Sequence, residues 1–590
     1  MNKRRLVVLA ALGVIAAFYF YSTATRAGAP LATSRIEAVD RAVYAGRLAG
    51  ETPMDITVSL KLRNQGELER FLEDLQDPAS PVYHQYLSMA EFVSRYSPLA
   101  EDYSAVQAFL RENGFAITDT WENRITVGAR GSAEAVERAF GVTMNRYVHE
   151  VREVYAGDGT PRIPDHLAGF VDGVFGLDTI YQYHTNHIAR KLDRPDIAST
   201  ASPLISGKPP YLPHELQEIY GLTIDPGVDD GSGQHVAVIL WDSNINKTDL
   251  QYLWTSAGIA QNINTIKVVG VGASPPAFSG SNADAELALD VQYTSSFIAY
   301  STLTARSPAS AVPASTGPKV TAYIAKDAYP SSLLKAEQKF VSEGKKTTGP
   351  KIASLSFGIG EVIQSISSAE TAVFQNAAAT GLTVCVSSGD DGSQGGAPWG
   401  DSTAQASWPA SSPYVASIGG TTITVGKSAG KLAWKKEVVW KDGNGIRPSG
   451  ASTGGGSSAL FTKPSWQTGT GVPSANQRHV PDISLDADPD TGYAVRFAGS
   501  WYYFGGTSAS SPAMASFFAG VNQRRKAAGK PYLGQVNAAI YSIFNSAAAS
   551  NYHDVTSGNN VKYKAQKGYD LCTGVGTIRG DTLAASLLAK

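Results

Sequence analysis

The sequence predicts a doubly wound α/β fold with a mostly parallel sheet, preceded by a small α+β domain. Three observations carry this. Beyond residue 211, short continuous apolar runs alternate with helical segments, as parallel strands covered on both faces do. Residues 36 to 180 are richer in charge, and there amphipathic helices alternate with half-buried strands. The stretch between, 184–213, has no apolar periodicity and is rich in Ser, Ala and Pro.

In the first region Thr57-Val-Ser-Leu-Lys-Leu62 alternates as a strand with one buried face. Glu67 to Leu75 and Tyr103 to Asn113 have helical spacing, Ile125-Thr-Val127 is a short strand, and Glu134 to Phe140 is a helix. In the long second region the runs Val236–Leu240, Ile266–Val271, Val320–Ile324, Ile352–Phe357 and Leu382–Ser387 predict strands. Asp284–Tyr293, Ser331–Glu343 and Ala369–Ala379 predict the helices between them. Ser301 to Gly317 reads as a surface insertion. The segment 184–210 reads as an exposed linker open to proteolysis.

The first 29 residues read as an export signal. Lys3, Arg4 and Arg5 precede an apolar run, Leu6 to Tyr21, which is shorter than the roughly 20 residues of a spanning helix. Pro30 after the small residues leaves an uncleaved anchor as the second reading. The expected organisation is therefore a signal at 1–29, a domain at 30–183, a linker at 184–210 and a large domain at 211–590. Hydrophobic residues make up 43% and charged residues 17%, which permits a large core, and no basic block or stripe points to nucleic acid. The expected species is secreted, extracellular or periplasmic, monomeric, and off the membrane once the signal is removed. The two cysteines, Cys385 and Cys572, allow a disulfide or two buried small hydrophobes.

Gly505-Gly-Thr-Ser-Ala-Ser-Ser-Pro512 is the segment most suggestive of chemistry. Its glycines permit a tight turn, and Ser508 would stand at the start of a helix, with Ala513 to Ala519 helical and Pro512 in the first turn. A serine nucleophile needs a base. None of the nine histidines is followed by glycine, and only His214, His235, His479 and His553 lie in the large domain, so a histidine triad has little support. Ser281-Asn-Ala-Asp-Ala-Glu-Leu-Ala-Leu-Asp290 supplies an alternative. Ser281 and Asp284 resemble a capping box. Glu286 and Asp290, four apart, share one helix face, where two carboxylates tend to share a proton. Glu286 could accept the Ser508 proton while Asp290 orients it.

Taken together these motifs resemble the sedolisin family of serine-carboxyl peptidases. Its pattern is Glu-x-x-x-Asp on a helix, Asp in Ser-Gly-Asp-x-Gly, and Ser in Gly-Thr-Ser-Ala. Here these are Glu286 and Asp290, then Asp390 in Ser387-Ser-Gly-Asp-Asp-Gly392, then Ser508. Ser354-Leu-Ser-Phe-Gly358, Ile418-Gly-Gly-Thr421, Gly454-Gly-Gly-Ser457 and Pro481-Asp-Ile-Ser484 also resemble family segments. Ser80-Pro-Val-Tyr-His-Gln-Tyr-Leu-Ser88, with Glu91-Phe92, resembles the signature of the family's activation prodomain.

The resemblance implies a subtilisin-like core behind a prodomain, peptide substrates and self-cleavage from a zymogen. It implies that Asp390 lines the oxyanion hole. A protonated Asp390 and an ionised Glu286 coexist only in acid, so an acidic optimum is expected. It further implies one structural calcium held by Asp554 and Asp570 and by the carbonyls of Val555, Gln566 and Gly568. Some members extend the acid chain with a glutamate on the first core strand and a tryptophan before the glycine of Ser-x-Ser-x-Gly; Leu240 and Phe357 stand there. Two rivals remain on sequence alone: a histidine-dependent subtilisin, and a secreted binding protein on a peptidase scaffold.

Overall fold

A computed structural model describes residues 28–31, 37–149, 151–192, 207–303, 316–361, 364–396, 403–442 and 450–590. Residues 1–27 of the expected signal, 193–206 of the expected linker and 304–315 of the expected insertion fall outside them. The chain divides into two compact units.

The first unit comprises residues up to 60 with 99–118 and 127–180. Its main sheet has four strands in the order Ala116–Thr120, Thr126–Ser132, Pro53–Leu60, Val171–Phe175. Met54, Ile56, Val58 and Leu60 bury one face of the central strand against Val106 and Leu110 of the helix Ala100–Glu112 and Val136 and Phe140 of the helix Ala133–Phe140. The strand starts earlier than its sequence signal, because Met54 and Ile56 continue the alternation.

The second unit comprises 61–98, 119–126 and 181–590. It is built on a sheet whose strands are β1 (His235–Trp241), β2 (Ile266–Val271), β3 (Lys319–Ala325), β4 (Ile352–Leu355), β5 (Thr383–Ser387), β6 (Ala416–Ser428), β7 (Lys431–Val439), β8 (Ile483–Asp486), β9 (Tyr552–His553) and β10 (Thr577–Ile578). Their order is 2-3-1-4-5-6-8-10-9, with β7 paired to β6. All pairings from β2 to β10 along that path are parallel, and only β7 and β9 join antiparallel. Helices α1 (Asn282–Ser296), α2 (Pro330–Gly344), α3 (Gln364–Ala379) and α4 (Thr507–Ala527) complete the doubly wound layers. The side chains of β1, β3, β4, β5 and β8 are buried on both faces almost throughout, hence the continuous apolar runs in the sequence.

Two expectations need correcting. The run Ile352–Phe357 is not one strand. β4 ends at Leu355, and Phe357–Gly360 leaves the sheet to pair with His184–Thr185 and Ser407–Trp408. Ser356, at the break, is turned to other use, described below. Nor is the expected linker exposed from its start. His184–Thr185 is a strand on Phe357–Gly358, and Ile188–Lys191 is a strand on Tyr502–Gly505, with Thr185, Asn186 and His187 buried.

The Ser80–Ser88 segment belongs to the second unit. Tyr86 donates its hydroxyl to the Leu533 carbonyl (2.8 Å), and the Leu87 N–H reaches the Ala379 carbonyl (2.9 Å). Ser88 caps the next helix reciprocally with Glu91. Nearby, Asn123 is buried and donates to Gln338 on α2 and Asn376 on α3. Both cysteines are buried free thiols, and burial raises the pKa of each. Among the described residues no helix is long and apolar enough to cross a membrane.

Candidate active site

Helix α4 begins at Thr507, earlier than the sequence suggested, so Ser508 lies inside the first turn and Pro512 inside the helix. The first N–H groups of a helix have no intrahelical acceptor. Here the Thr507 N–H donates to Asp390 Oδ1 (2.8 Å) and the Ser508 N–H to the Asn186 carbonyl (2.9 Å). Gly506 precedes them at φ 89°. A Cβ there would collide with the Asn186 carbonyl oxygen and with Asp390 Oδ2. Only glycine lets these two oxygens approach the helix start together.

Helix α1 starts as its sequence predicts, with Ser281 and Asp284 capping each other. Its whole length from Asp284 to Ser296 is buried, which brings Glu286 against α4. Ser508 Oγ donates to Glu286 Oε2 at 3.1 Å and lies 3.3 Å from the Ser356 carbonyl. One turn on, Asp290 Oδ1 accepts from Ser356 Oγ at 2.6 Å. Its other oxygen is buried without a hydrogen-bond partner, and the apolar Leu240 and Phe357 are buried too. Burial, and then the charge of Glu286, holds the Asp290 carboxyl well above the usual carboxylate range.

Asp390 is fully buried in the turn after β5. Thr507 also donates its hydroxyl to Asp390 Oδ1 at 2.8 Å. The Gly454 segment packs behind: its N–H meets the Gly389 carbonyl at 2.6 Å, and a Cβ on Gly454 would overlap the Ser388 carbonyl. Glu286, Ser508, Asp390 and Asp290 thus come from α1, α4 and one turn, with the Asn186 carbonyl on the Ser508 N–H.

The sequence reading missed the residues that supply this carbonyl. The Asn186 N–H donates to the Ser356 carbonyl (3.3 Å), and its side chain donates to Ser387 Oγ (2.9 Å). His187 stacks on Phe504, with ring centres 5.6 Å apart, and places Nδ1 2.7 Å from Glu286 Oε2. Further on, Arg190 pairs with Asp490 and lies 3.6 Å from Asp442. The four histidines weighed from sequence lie elsewhere. His235 bonds Thr348 and Thr321, His479 bonds Ser457, and His553 stacks on Trp434. Burial lowers the pKa of His214 to about 4.

The C-terminal loop ties two carboxylates together. Asp570 is buried and accepts from the Cys572 and Thr573 N–H groups at 2.8 Å and from the Gln566 N–H at 3.3 Å. Asp554 accepts from the Gly568 N–H at 3.1 Å. Burial pushes Asp570 up to about 6, offset by backbone N–H groups and a hydroxyl and not by a cationic side chain. No cluster of three His, Cys, Asp or Glu side chains that could hold a metal occurs among the described residues. Carboxylate oxygens are the donor type that a hard cation takes, and a buried carboxylate offset only by backbone N–H groups and a hydroxyl fits one.

The profile of the family described as Pro-kumamolisin, activation domain, matches residues 40–180, and that of the subtilase family matches 306–568. Kumamolisin of Bacillus sp. (strain MN-32) is 31% identical over 563 residues, covering 93% of this chain and 94% of that protein. Sedolisin of Pseudomonas sp. (strain 101) is 32% identical over 565 residues, covering 92% and 89%. Among solved structures, Pseudomonas sedolisin (serine-carboxyl proteinase), complexed with two molecules of pseudo-iodotyrostatin, superposes with a TM-score of 0.53. It is 30% identical, covering 64% of this chain and 98% of that one.

Proposed function

This chain belongs to the sedolisin family of serine-carboxyl peptidases and carries the family's activation prodomain, and from that premise we propose that it is a secreted, acid-acting endopeptidase whose first substrate is itself. The observation that carries this reading is the Asn186 carbonyl, held by the Ser508 N–H at 2.9 Å while Ser508 Oγ donates to Glu286. A scissile carbonyl would be held in the same way.

In the proposed reaction Ser508 Oγ attacks the Asn186 carbonyl carbon and its proton passes to Glu286. The tetrahedral oxyanion is met by the Ser508 N–H and by a protonated Asp390. The Asn186–His187 bond breaks, Glu286 returns the proton to the His187 amine, and Asn186 remains as the acyl group. Water then attacks the ester and gives a proton to Glu286, which returns it to Ser508 Oγ as the ester bond breaks and the new carboxyl group leaves. Asp290, kept neutral by burial, would stand beside Glu286 without adding a second charge. Other proteins would bind as residues 184–191 do, pairing with Phe357–Gly358 on one side of the bond and Tyr502–Gly505 on the other. A calcium ion, when bound, would neutralise Asp554 and Asp570 and take the carbonyls of Val555, Gln566 and Gly568, fixing the C-terminal loop. The residues of this chain then do no more there than hold that loop. The export signal and a monomeric mature enzyme complete the reading.

The test is a pH–rate profile on a denatured protein substrate for wild type, Glu286→Ala and Ser508→Ala. Activity confined to acid and abolished in both variants is expected. Activity near neutrality that survives Glu286→Ala would overturn the assignment of the base.

A further inference from the structure

The Asn186 carbonyl fixes a register. Counting back from the proposed scissile bond, Asn186, Thr185 and His184 are the first three residues and Tyr183 is the fourth. The Tyr183 N–H donates to the Ala328 carbonyl at 2.9 Å, and its side chain leaves the strand for the interior, where it is 2% exposed. Its ring meets Phe357 edge to face, with centres 5.1 Å apart, and Phe357 in turn packs on Trp241. The walls of this pocket are therefore aromatic.

Its floor is not. The Tyr183 hydroxyl lies 2.7 Å from Glu370 Oε1 and 2.8 Å from Oε2. Glu370, on α3, is fully buried and also accepts from Trp408 Nε1. Beside it, on α2, Glu337 is 1% exposed, and neither of its carboxyl oxygens has a hydrogen-bond partner. Each carboxyl is pushed up by burial, and the nearby charge of Glu370 adds to the rise at Glu337. Two buried acidic groups are a poor way to stabilise a core, since apolar residues of like size pack there at less cost. Their arrangement makes sense as recognition of a hydroxyl. The residue they recognise lies on the side of the bond that departs with the prodomain, so maturation vacates the pocket.

We propose that this pocket is a substrate subsite of the mature enzyme, with Glu370 as the specificity-determining acceptor that selects tyrosine at the fourth residue before the cleaved bond. The proposal rests on the catalytic reading above, which supplies the register. A site built to receive a hydroxyl discriminates strongly against the analogue without one, because the buried acceptor is left unmatched. Phenylalanine fills the same aromatic walls but offers Glu370 nothing. Aliphatic residues lose the walls as well.

The experiment uses mature enzyme made from the full chain by acid maturation. Acetylated peptides Xaa-His-Thr-Asn-His-Ile-Ala-Arg, with Xaa as Tyr, Phe or Leu, are compared by kcat/KM, and the cleaved bond is identified by mass. Cleavage between Asn and His, with Tyr favoured over Phe by about tenfold or more, is expected. In Glu370→Leu the Tyr-to-Phe ratio should fall to about one, while Glu370→Gln, which keeps a carbonyl acceptor, should retain part of it. Because the wild-type ratio alone decides, a variant that fails to fold does not blunt the test. Equal cleavage of the Tyr and Phe peptides at the Asn–His bond would leave the catalytic reading standing and overturn the subsite. Cleavage at another bond would overturn the register and the subsite with it. Failure to cut any peptide or a denatured protein would overturn the catalytic reading itself.

Discussion

His187 Nδ1 lies 2.7 Å from Glu286 Oε2, the same oxygen that accepts from Ser508 Oγ at 3.1 Å. The residue after the proposed scissile bond thus competes with the nucleophile for the base. A charge-assisted hydrogen bond of this kind is worth about 1.5–3 kcal/mol, and it draws negative charge away from the oxygen that must take the Ser508 proton. His187→Ala should therefore mature about tenfold faster than wild type at the same acid pH. A concentration-independent time course of chain cleavage on a gel measures this; an unchanged or slower rate would contradict it.

Asp290 is raised well above its ordinary pKa by burial and by Glu286, so it stays protonated through the acid range and ionises only as pH rises. Asparagine imitates the neutral form. Asp290→Asn should keep activity within about tenfold of wild type in acid, whereas Asp290→Ala, which removes the acceptor of the Ser356 hydroxyl and opens a hole beside Glu286, should lose about a hundredfold. Comparing kcat/KM of the two variants at one acid pH decides the matter, and equal losses would argue against a neutral Asp290.

The same burial predicts the pH dependence of stability. Asp290, Glu337, Asp486 and Glu370 are all raised, Glu370 to about 8. A carboxyl whose folded pKa exceeds its unfolded value stabilises the fold fully below the unfolded value, and that stability is lost as pH rises through the folded one. The protein should unfold at a temperature roughly 5 °C or more higher at pH 4 than at pH 8. Thermal melts at the two pH values provide the check, and a higher Tm at pH 8 would refute it.

Asp570, raised to about 6 by burial, gives a separate signature. Without a cation, its ionisation between its unfolded value and pH 6 costs up to about 3 kcal/mol. A bound cation reverses this. Chelator should lower the Tm above pH 6 and leave it nearly unchanged at pH 4, calcium should restore it, and Asp570→Asn should abolish both responses. A chelator effect of equal size at both pH values would exclude this source.

Arg478 and Asp482 form a two-pronged pair of 2.7 and 2.6 Å with both side chains fully buried. Asp482 also accepts from Tyr541, Asn537 and the Ser417 N–H. Asp482→Asn should destabilise by about 3–5 kcal/mol, because it strands a buried guanidinium. Denaturant unfolding measures it, and a loss under 1 kcal/mol would show that the pair is dispensable.

The strands of the large sheet were legible because parallel strands covered on both faces need unbroken apolar runs. The start of α1 was legible because Ser281 and Asp284 cap each other locally. Ser508 and Glu286 could be picked out as residue types at suggestive spacings, though their approach depends on how α1 and α4 pack. His187 and Asn186 gave no such signal. The order of their segment comes from pairing with Phe357–Gly358 and Tyr502–Gly505, strands more than 170 residues away, and a sequence without apolar periodicity does not announce borrowed order. The break at Ser356 was hidden for a related reason, since both sides of it are buried and apolar. Pro512 misled in the other direction: it reads as a first-turn residue, yet the helix runs on through it.

Both cysteines are free thiols, so no covalent staple spans the Asn186–His187 bond. Before the proposed cut, the segment ending in Asn186 would meet the site at the effective concentration set by a tether, which reaches the millimolar range for short flexible links. Afterwards that segment would be an ordinary dissociating ligand, and its hold would depend on how much protein is present. Dilution would then act as the second half of activation: crowded enzyme stays restrained after the bond is broken, and the same molecules become free as they disperse.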